Sequence, residues 1–136
     1  MIVGVPKEVK SNEKRVSLLP HLIKPISILG HKVFIQEGAG KESGISDSAY
    51  LAEGAEITPS IEAIYELSDI IVKVKEPLNY ELSLIKDSQI IFTFFHFAGD
   101  RSLTEDFIKT NAIAVAYETV EDVEGKLPLL TPMSEI

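Results

Sequence analysis

Short apolar runs rich in Ile and Val alternate along the chain with longer segments in which apolar residues recur at helical spacing. These runs predict strands at residues 2–5, 32–36, 56–58, 69–75, 89–95 and 112–117. Most of them are apolar almost throughout, as in strands that are buried on both faces. The pattern therefore predicts an α/β fold, with a parallel sheet covered by helices on both of its faces.

Helices are predicted between the strands at residues 20–29, 47–52, 59–68, 79–87 and 101–110. Pro25 lies within the first of them and removes a backbone donor, so we expect a kink or a restart there. Gly30 is suited to end that helix. Asn79 and Asp100 are the candidate N-caps of the last two helices.

Composition narrows the classes of function. The 136 residues and 45% hydrophobic content fit one globular domain, residues 1–136. The net charge of −8 argues against a nucleic-acid or anionic-membrane partner. The chain has no cysteine, no signal-peptide pattern and no apolar run long enough for a membrane helix, so we expect a cytoplasmic protein.

Four polar side chains stand at or beyond the carboxyl ends of predicted strands. They are Arg15, in the loop after the first strand, and Lys75, His96 and Glu118. Ligands of open α/β sheets bind beyond these ends, so we expect the four to converge on one rim. Two cations suit an anionic small molecule, and Arg15 can bind a carboxylate through two parallel hydrogen bonds. His96 is the group best suited to exchange a proton near neutral pH.

Each of the four residues could also be present for structural reasons, without a role in binding or catalysis. His96 stands among three phenylalanines and could be a hydrogen-bonded core residue. Lys75 could be a solvated strand end, and Arg15 could be one of several surface charges in its loop. Glu118 could belong to an acidic, solvated loop. The joint placement of the four residues at strand ends favours the functional interpretation.

The glycine-rich stretch GAGKESG does not fit a dinucleotide-binding loop. Its glycines stand at positions 38, 40 and 44, one residue too far apart for the G-x-G-x-x-G pattern, and the helix predicted after it is short. A tight turn that needs glycine conformations is the expected structure. The sequence also contains no Walker loop, no metal triad at helical spacing and no nucleophile elbow.

Several stretches together resemble the N-terminal part of the alanine dehydrogenase / nicotinamide nucleotide transhydrogenase family. They are VGVPKEVKSNEKRVSLLP, GAGKESGISDSAY, DIIVKVKEP, FTFFHFAGDRSLTE and AIAVAYETVE…LPLLTPMSEI. The resemblance follows the alanine dehydrogenases along essentially the whole chain. It implies a Rossmann-like, N-terminal substrate domain of a two-domain enzyme, hexameric when intact, that oxidises L-alanine to pyruvate and ammonium with NAD.

The resemblance also implies a role for each rim residue. Arg15 in NEKRV would bind the substrate carboxylate, and Lys75 in KVKEP would contact the substrate carboxylate or carbonyl. His96 in FHFAGD would be the acid/base group on the substrate oxygen or nitrogen. Glu118 in AYETVE would be a neighbour that orients the cations.

Two residues near the end of the chain complete the implied site. Ser134 in PMSE would lie against the cofactor, with Met133 beside it at the mouth of the cleft. A further dinucleotide-binding domain would hold most of the NAD, so we expect these 136 residues alone to be inactive. Two alternatives stay open: a stand-alone module that senses a small carboxylate, and the α subunit of a transhydrogenase, which Lys75 and His96 disfavour.

Overall fold

A computed structural model describes residues 1–129 of the 136 in the chain. Its strands are β1 (Ile2–Val5), β2 (Lys32–Gln36), β3 (Glu56–Thr58), β4 (Ile70–Lys75), β5 (Ile90–Phe94) and β6 (Ile113–Ala116). They form one sheet in the order β3-β2-β1-β4-β5-β6, with parallel pairing throughout. The predicted parallel sheet is therefore confirmed, and each strand begins and ends within about one residue of its predicted bounds.

Helices cover the sheet on both faces, as the sequence predicts. They are α1 (Ile23–Ile28), α2 (Asp47–Ala52), α3 (Ile61–Leu67), α4 (Asn79–Leu84) and α5 (Arg101–Ile108). Ile23 and Tyr50, from α1 and α2, belong to one apolar cluster, whereas Ile64 and Phe107, from α3 and α5, belong to another. No helix in residues 1–129 is long and apolar enough to cross a membrane.

Two helix starts differ in how well they were predicted. Asp100 caps α5 as expected, since its Oδ1 accepts the backbone N–H of Leu103 at 2.9 Å. Asn79 does not cap α4: Leu78 is the N-cap residue, and its N–H donates to Glu81 Oε2 at 3.0 Å. The Glu81 carboxylate in the first turn thus accepts the N–H of the N-cap residue itself, which is the N3 half of a capping box, and Leu78 has no side-chain acceptor for the other half.

The first predicted helix is divided. A 3-10 turn over Pro20–Leu22 precedes α1, which restarts at Ile23. Pro25 lies in the first turn of α1, where a backbone N–H has no acceptor within the helix and its loss costs little. The restart therefore lies at Ile23 and not at Pro25 as expected, and α1 continues through the proline, which stands in a position that tolerates it.

The strand order reverses between β1 and β4, and the two strands separate early. β1 pairs with β2 along its whole length but with β4 only at Val3 and Gly4. β4 continues past this point and carries a register shift against β5 between Val72 and Lys75. In open α/β sheets such a reversal opens a crevice at the carboxyl ends of the strands, where ligands bind.

Candidate active site

The rim predicted from the sequence lies at the carboxyl ends of four strands. Lys75 ends β4, His96 lies just beyond β5, and Glu118 lies just beyond β6. The loop after β1 reaches the same edge, because Lys10 forms an ion pair with Glu76, the residue that follows β4. Residues from distant parts of the chain therefore meet at one edge of the sheet.

Arg15 already binds a carboxylate in the manner predicted, but the carboxylate is that of Glu13. Arg15 Nε donates to Glu13 Oε2 at 2.9 Å, and Nη2 donates to Oε1 at 2.7 Å. The Glu13 side chain is only 6% exposed, whereas that of Arg15 is 49% exposed. A substrate carboxylate would therefore have to share the Arg15 guanidinium with Glu13 or displace it.

The charge of Lys75 acts on the carboxylate of this pair. The hydrogen bond from Arg15 lowers the pKa of Glu13, and the charges of Arg15 and Lys75 lower it further. The Lys75 side chain is half-buried, while its backbone is held on both sides: its N–H donates to Glu8 Oε1 at 3.0 Å and its C=O accepts from Thr93 Oγ1 at 2.9 Å. Lys75 is thus a residue with a fixed backbone at the rim and not simply a solvated strand end.

His96 is not a core residue. It is exposed, and its backbone adopts the left-handed conformation, with φ 57° and ψ 38°. This conformation is uncommon for a residue with a side chain. Phe95 before it is fully buried and stacks on Phe97 after it, with ring centroids 4.4 Å apart. The two phenylalanines anchor the segment in the core, and the reversal at His96 leaves the imidazole outside it.

Glu118 contacts the backbone of this turn. Its Oε1 accepts the N–H of Phe95 at 3.0 Å, and its Oε2 accepts the N–H of His96 at 3.4 Å. Glu118 is half-buried, whereas Glu121 and Glu124 further along the loop are exposed. The interpretation of an acidic, solvated loop therefore holds for the later glutamates and is wrong for Glu118.

A buried group of charged residues beneath the rim was missed by the sequence predictions. Lys73 is 1% exposed, and its Nζ lies 3.3 Å from Glu8 Oε1 and 3.0 Å from Glu81 Oε1. Tyr65 donates to the same Glu81 oxygen at 3.1 Å. Burial raises the pKa of Glu8, and the charge of Lys73 opposes this rise. We call these four residues, Glu8, Tyr65, Lys73 and Glu81, the buried network.

One feature of the sequence, the position of Lys73 in its strand, could have indicated this network. Lys73 stands two residues after Ile71, so strand alternation places both on the same face, and Ile71 is a core position. A lysine in the core needs a carboxylate partner, because a buried unpaired charge is costly. The partner could not be identified in advance, since Glu8 follows β1 among other charged residues.

A cavity of about 370 Å³ opens over the ends of β4 and β5, and its lining includes Arg15, Lys73 and Tyr117. The Tyr117 ring meets Phe92 and Phe94 edge-on, with centroids 4.3 and 4.7 Å away. Burial raises the pKa of the Tyr117 phenol above its ordinary value. The cavity is therefore lined by both aromatic and charged side chains.

The glycine-rich loop has the structure expected of a tight turn. Gly38 and Gly44 adopt φ 77° and φ 78°, in the left-handed region that favours glycine. A Cβ on Gly40 would lie 2.9 Å from the Cβ of Ile45 and 3.0 Å from its carbonyl oxygen. The loop packs closely on itself at that glycine, and it leads into a 3-10 turn over Lys41–Ser43 and the short helix α2, not into the longer helix that follows a dinucleotide-binding loop.

The two predicted residues nearest the end of the chain, Met133 and Ser134, lie outside the described residues 1–129. Within that range, no group of three or more histidine, aspartate or glutamate side chains is arranged to hold a metal ion.

Comparison with known proteins assigns the chain to a family. Residues 4–136 match the family model of the alanine dehydrogenase/PNT N-terminal domain. Alanine dehydrogenase of Methanococcus maripaludis is 46% identical over 136 residues, which are 100% of this chain and 36% of that protein. Alanine dehydrogenase of Mycobacterium tuberculosis is 40% identical over 136 residues, again 100% of this chain and 37% of the relative.

Solved structures give the same assignment. An L-alanine dehydrogenase matches with a TM-score of 0.94 and 44% identity, covering 98% of this chain and 37% of that one. The transhydrogenase from Sinorhizobium meliloti matches with a TM-score of 0.83 and 26% identity, covering 90% of this chain and 36% of that one. The chain therefore spans about a third of the length of the curated relatives it matches.

Proposed function

The chain belongs to the alanine dehydrogenase/PNT N-terminal domain family, and on this premise we propose that it forms the substrate-binding half of an NAD-dependent L-alanine dehydrogenase. The reaction converts L-alanine, water and NAD⁺ to pyruvate, ammonium, NADH and a proton. The observation that carries the proposal is the placement of Lys75 and His96 at neighbouring strand ends, each with its backbone held by a glutamate carboxylate.

In this proposal the rim residues orient the substrate and move its protons. Arg15 binds the substrate carboxylate, and the bidentate geometry it has with Glu13 is the geometry required. Lys75 contributes a positive charge where the substrate oxygen becomes more negative, which stabilises that charge. His96 exchanges a proton with the substrate oxygen or nitrogen, and its exposed position allows a substrate to approach it.

NAD, when bound, accepts the hydride from the substrate α-carbon. The glycine-rich loop departs from the dinucleotide fingerprint in its glycine spacing and in the 3-10 turn that follows it. We therefore propose that residues 1–136 form one domain and that a second domain binds most of the NAD, with Ser134 against the cofactor and Met133 beside it at the mouth of the cleft. We further propose that the intact enzyme is a cytoplasmic homohexamer.

Alanine-dependent NADH formation by the intact protein tests this function. We expect turnover with L-alanine and NAD⁺, and no turnover from residues 1–136 alone. His96→Ala should reduce kcat far more than it weakens pyruvate binding, whereas His21→Ala, at another exposed histidine, should leave both unchanged. An intact protein without alanine oxidation would contradict the function, and unchanged turnover in His96→Ala would contradict the role of the imidazole.

The transhydrogenase interpretation is the weaker one. The match to a solved transhydrogenase is 26% identical, against 44% for the L-alanine dehydrogenase. Hydride transfer between two nicotinamide nucleotides also gives no task to a proton-exchanging imidazole at a strand end. A stand-alone carboxylate sensor is distinguished by the same assay, because it would bind a small carboxylate such as alanine but form no NADH from alanine and NAD⁺.

A further inference from the structure

The Glu8 side chain accepts backbone N–H groups of β4 beyond the point where β4 stops pairing with β1. The pairing between these strands ends at Gly4 and Ile71. Further along β4, the N–H of Val74 donates to Glu8 Oε2 at 3.2 Å, and the N–H of Lys75 donates to Glu8 Oε1 at 3.0 Å. Buried backbone donors need acceptors, and here one carboxylate provides both.

These two hydrogen bonds define an irregularity in β4. In a regular strand, consecutive N–H groups point to opposite sides, so a single acceptor cannot bind both. The pairing with β5 shifts by one residue between Val72 and Lys75, as in a β-bulge. Bulges re-aim the side chains that follow them, and here the next side chain is that of Lys75.

Glu8 itself has little freedom to move. Its side chain is 2% exposed, and Lys73 Nζ lies 3.3 Å from the same Oε1 that accepts the Lys75 N–H. The loop that carries Glu8 is tied to β2 just before it, where the N–H of Lys7 donates to Gln36 Oε1 at 2.7 Å. The Glu8 carboxylate is thus held by its contact with Lys73 and by the attachment of its loop to β2.

We propose that Glu8 is a positioning residue for Lys75: its carboxylate holds the bulge at the end of β4 and so fixes where the lysine side chain enters the rim. This role rests on the proposed function for its catalytic meaning. The simpler alternative is that Glu8 only neutralises the buried ammonium of Lys73. Glu118 makes the equivalent contacts just beyond β5, where its carboxylate accepts the consecutive N–H groups of Phe95 and His96.

Glu8→Gln separates these two roles when it is compared with Glu81→Gln. In the first variant an amide NH₂ replaces one oxygen and faces the N–H of Val74 or Lys75, donor against donor. Glu81 contacts the same Lys73 and also accepts a backbone N–H, that of Leu78, so Glu81→Gln makes the same chemical change in the same buried network away from the bulge. Glu8→Asp is a further variant that keeps the charge for Lys73 and shortens the reach to the bulge.

The variants are tested in the intact enzyme by steady-state kinetics with pyruvate, ammonium and NADH. We expect Glu8→Gln and Glu8→Asp to lower kcat/KM on the order of 10- to 100-fold, and Glu81→Gln to lower it less than about threefold. Combined with Lys75→Ala, Glu8→Gln should add almost nothing, because both changes disable the same side chain. Equal losses in the two glutamine variants, or losses that multiply with Lys75→Ala, would overturn the proposal.

Amide hydrogen exchange by NMR gives a readout that does not depend on catalysis. The Val74 and Lys75 N–H groups should exchange slowly in the parent protein and in Glu81→Gln, and much faster in Glu8→Gln and Glu8→Asp. Unchanged protection in both Glu8 variants would show that Glu8 does not hold the bulge. A protein that has the protection pattern but no alanine oxidation would contradict the proposed function and leave the role of Glu8 in the bulge standing.

Discussion

Glu118 holds the backbone of His96 in its left-handed turn: its Oε2 accepts the His96 N–H at 3.4 Å while its Oε1 accepts the Phe95 N–H at 3.0 Å. The φ of His96 is 57°, a conformation that costs energy for a residue with a side chain. It persists only where contacts with the surrounding structure offset that cost. The carboxylate is part of those surroundings, so the position of the imidazole depends on a residue 22 positions away.

Replacing Glu118 should therefore affect both stability and turnover. Glu118→Ala leaves the N–H of Phe95 without its acceptor, and we expect the free energy of unfolding to fall by about 1–3 kcal/mol. The turnover of the intact enzyme should fall as well, because His96 loses its fixed backbone. Urea unfolding and kcat measure the two effects. Glu121→Ala, an exposed glutamate of the same loop, is the control and should change neither.

The buried network predicts a large effect at Lys73. Lys73→Met leaves the carboxylates of Glu8 and Glu81 buried without their shared cation, and breaking a buried pair in this way costs about 3–5 kcal/mol. Urea unfolding of Lys73→Met should show this loss, whereas Lys32→Met, at an exposed strand lysine, should stay within about 0.5 kcal/mol of the parent. A loss at Lys73 as small as that at Lys32 would contradict the network.

Strand positions and strand ends could be predicted because they depend on local pattern. The apolar runs located the six strands of residues 1–129, and the rule for parallel sheets then placed Lys75 and His96 at one edge. The partners of these residues could not be predicted, because they come from elsewhere in the chain. Glu8 and Lys75 are 67 positions apart, and sequence alone gives no reason to choose Glu8 over the other acids near it.

Two local contacts could also not be predicted from the sequence. Asn79 has the right residue type for an N-cap, yet Glu81 supplies the acceptor from within the helix, and propensity does not distinguish these solutions. Arg15 was correctly predicted to lie in the loop after β1, but its binding to Glu13 follows from a local loop conformation. In both cases a nearby glutamate makes a hydrogen bond that the type of the predicted residue alone does not indicate.

Gly4 should be one of the least replaceable residues of β1. A Cβ on Gly4 would lie 2.0 Å from Ser68 Oγ and 2.9 Å from Ser68 Cβ, in a part of the core that is fully packed. Gly4→Ala should therefore lower the free energy of unfolding by about 1–3 kcal/mol. Ser68→Gly in the same chain should recover part of the loss. Gly99→Ala, where a Cβ would meet nothing within 4 Å, should have little effect in the same urea titration.

The pair of Glu13 and Arg15 should make stability depend on pH in the acid range. The hydrogen bond from Arg15 lowers the pKa of Glu13 below its ordinary value of 4.5. The ionised form is therefore favoured by folding, so its contribution to stability is present above pH 4.5 and is lost as the pH falls through the lowered pKa. Glu13→Gln cannot ionise and should show a smaller loss of stability on acidification.

Urea unfolding at a series of pH values from neutral to acid measures this difference. The stability of the parent minus that of Glu13→Gln should be constant above pH 4.5 and should shrink as the pH falls further. Glu42→Gln, at an exposed glutamate near the same loop, serves as the control and should follow the parent curve. A difference between parent and Glu13→Gln that stays constant down to the acid limit would show that Arg15 does not stabilise the Glu13 carboxylate.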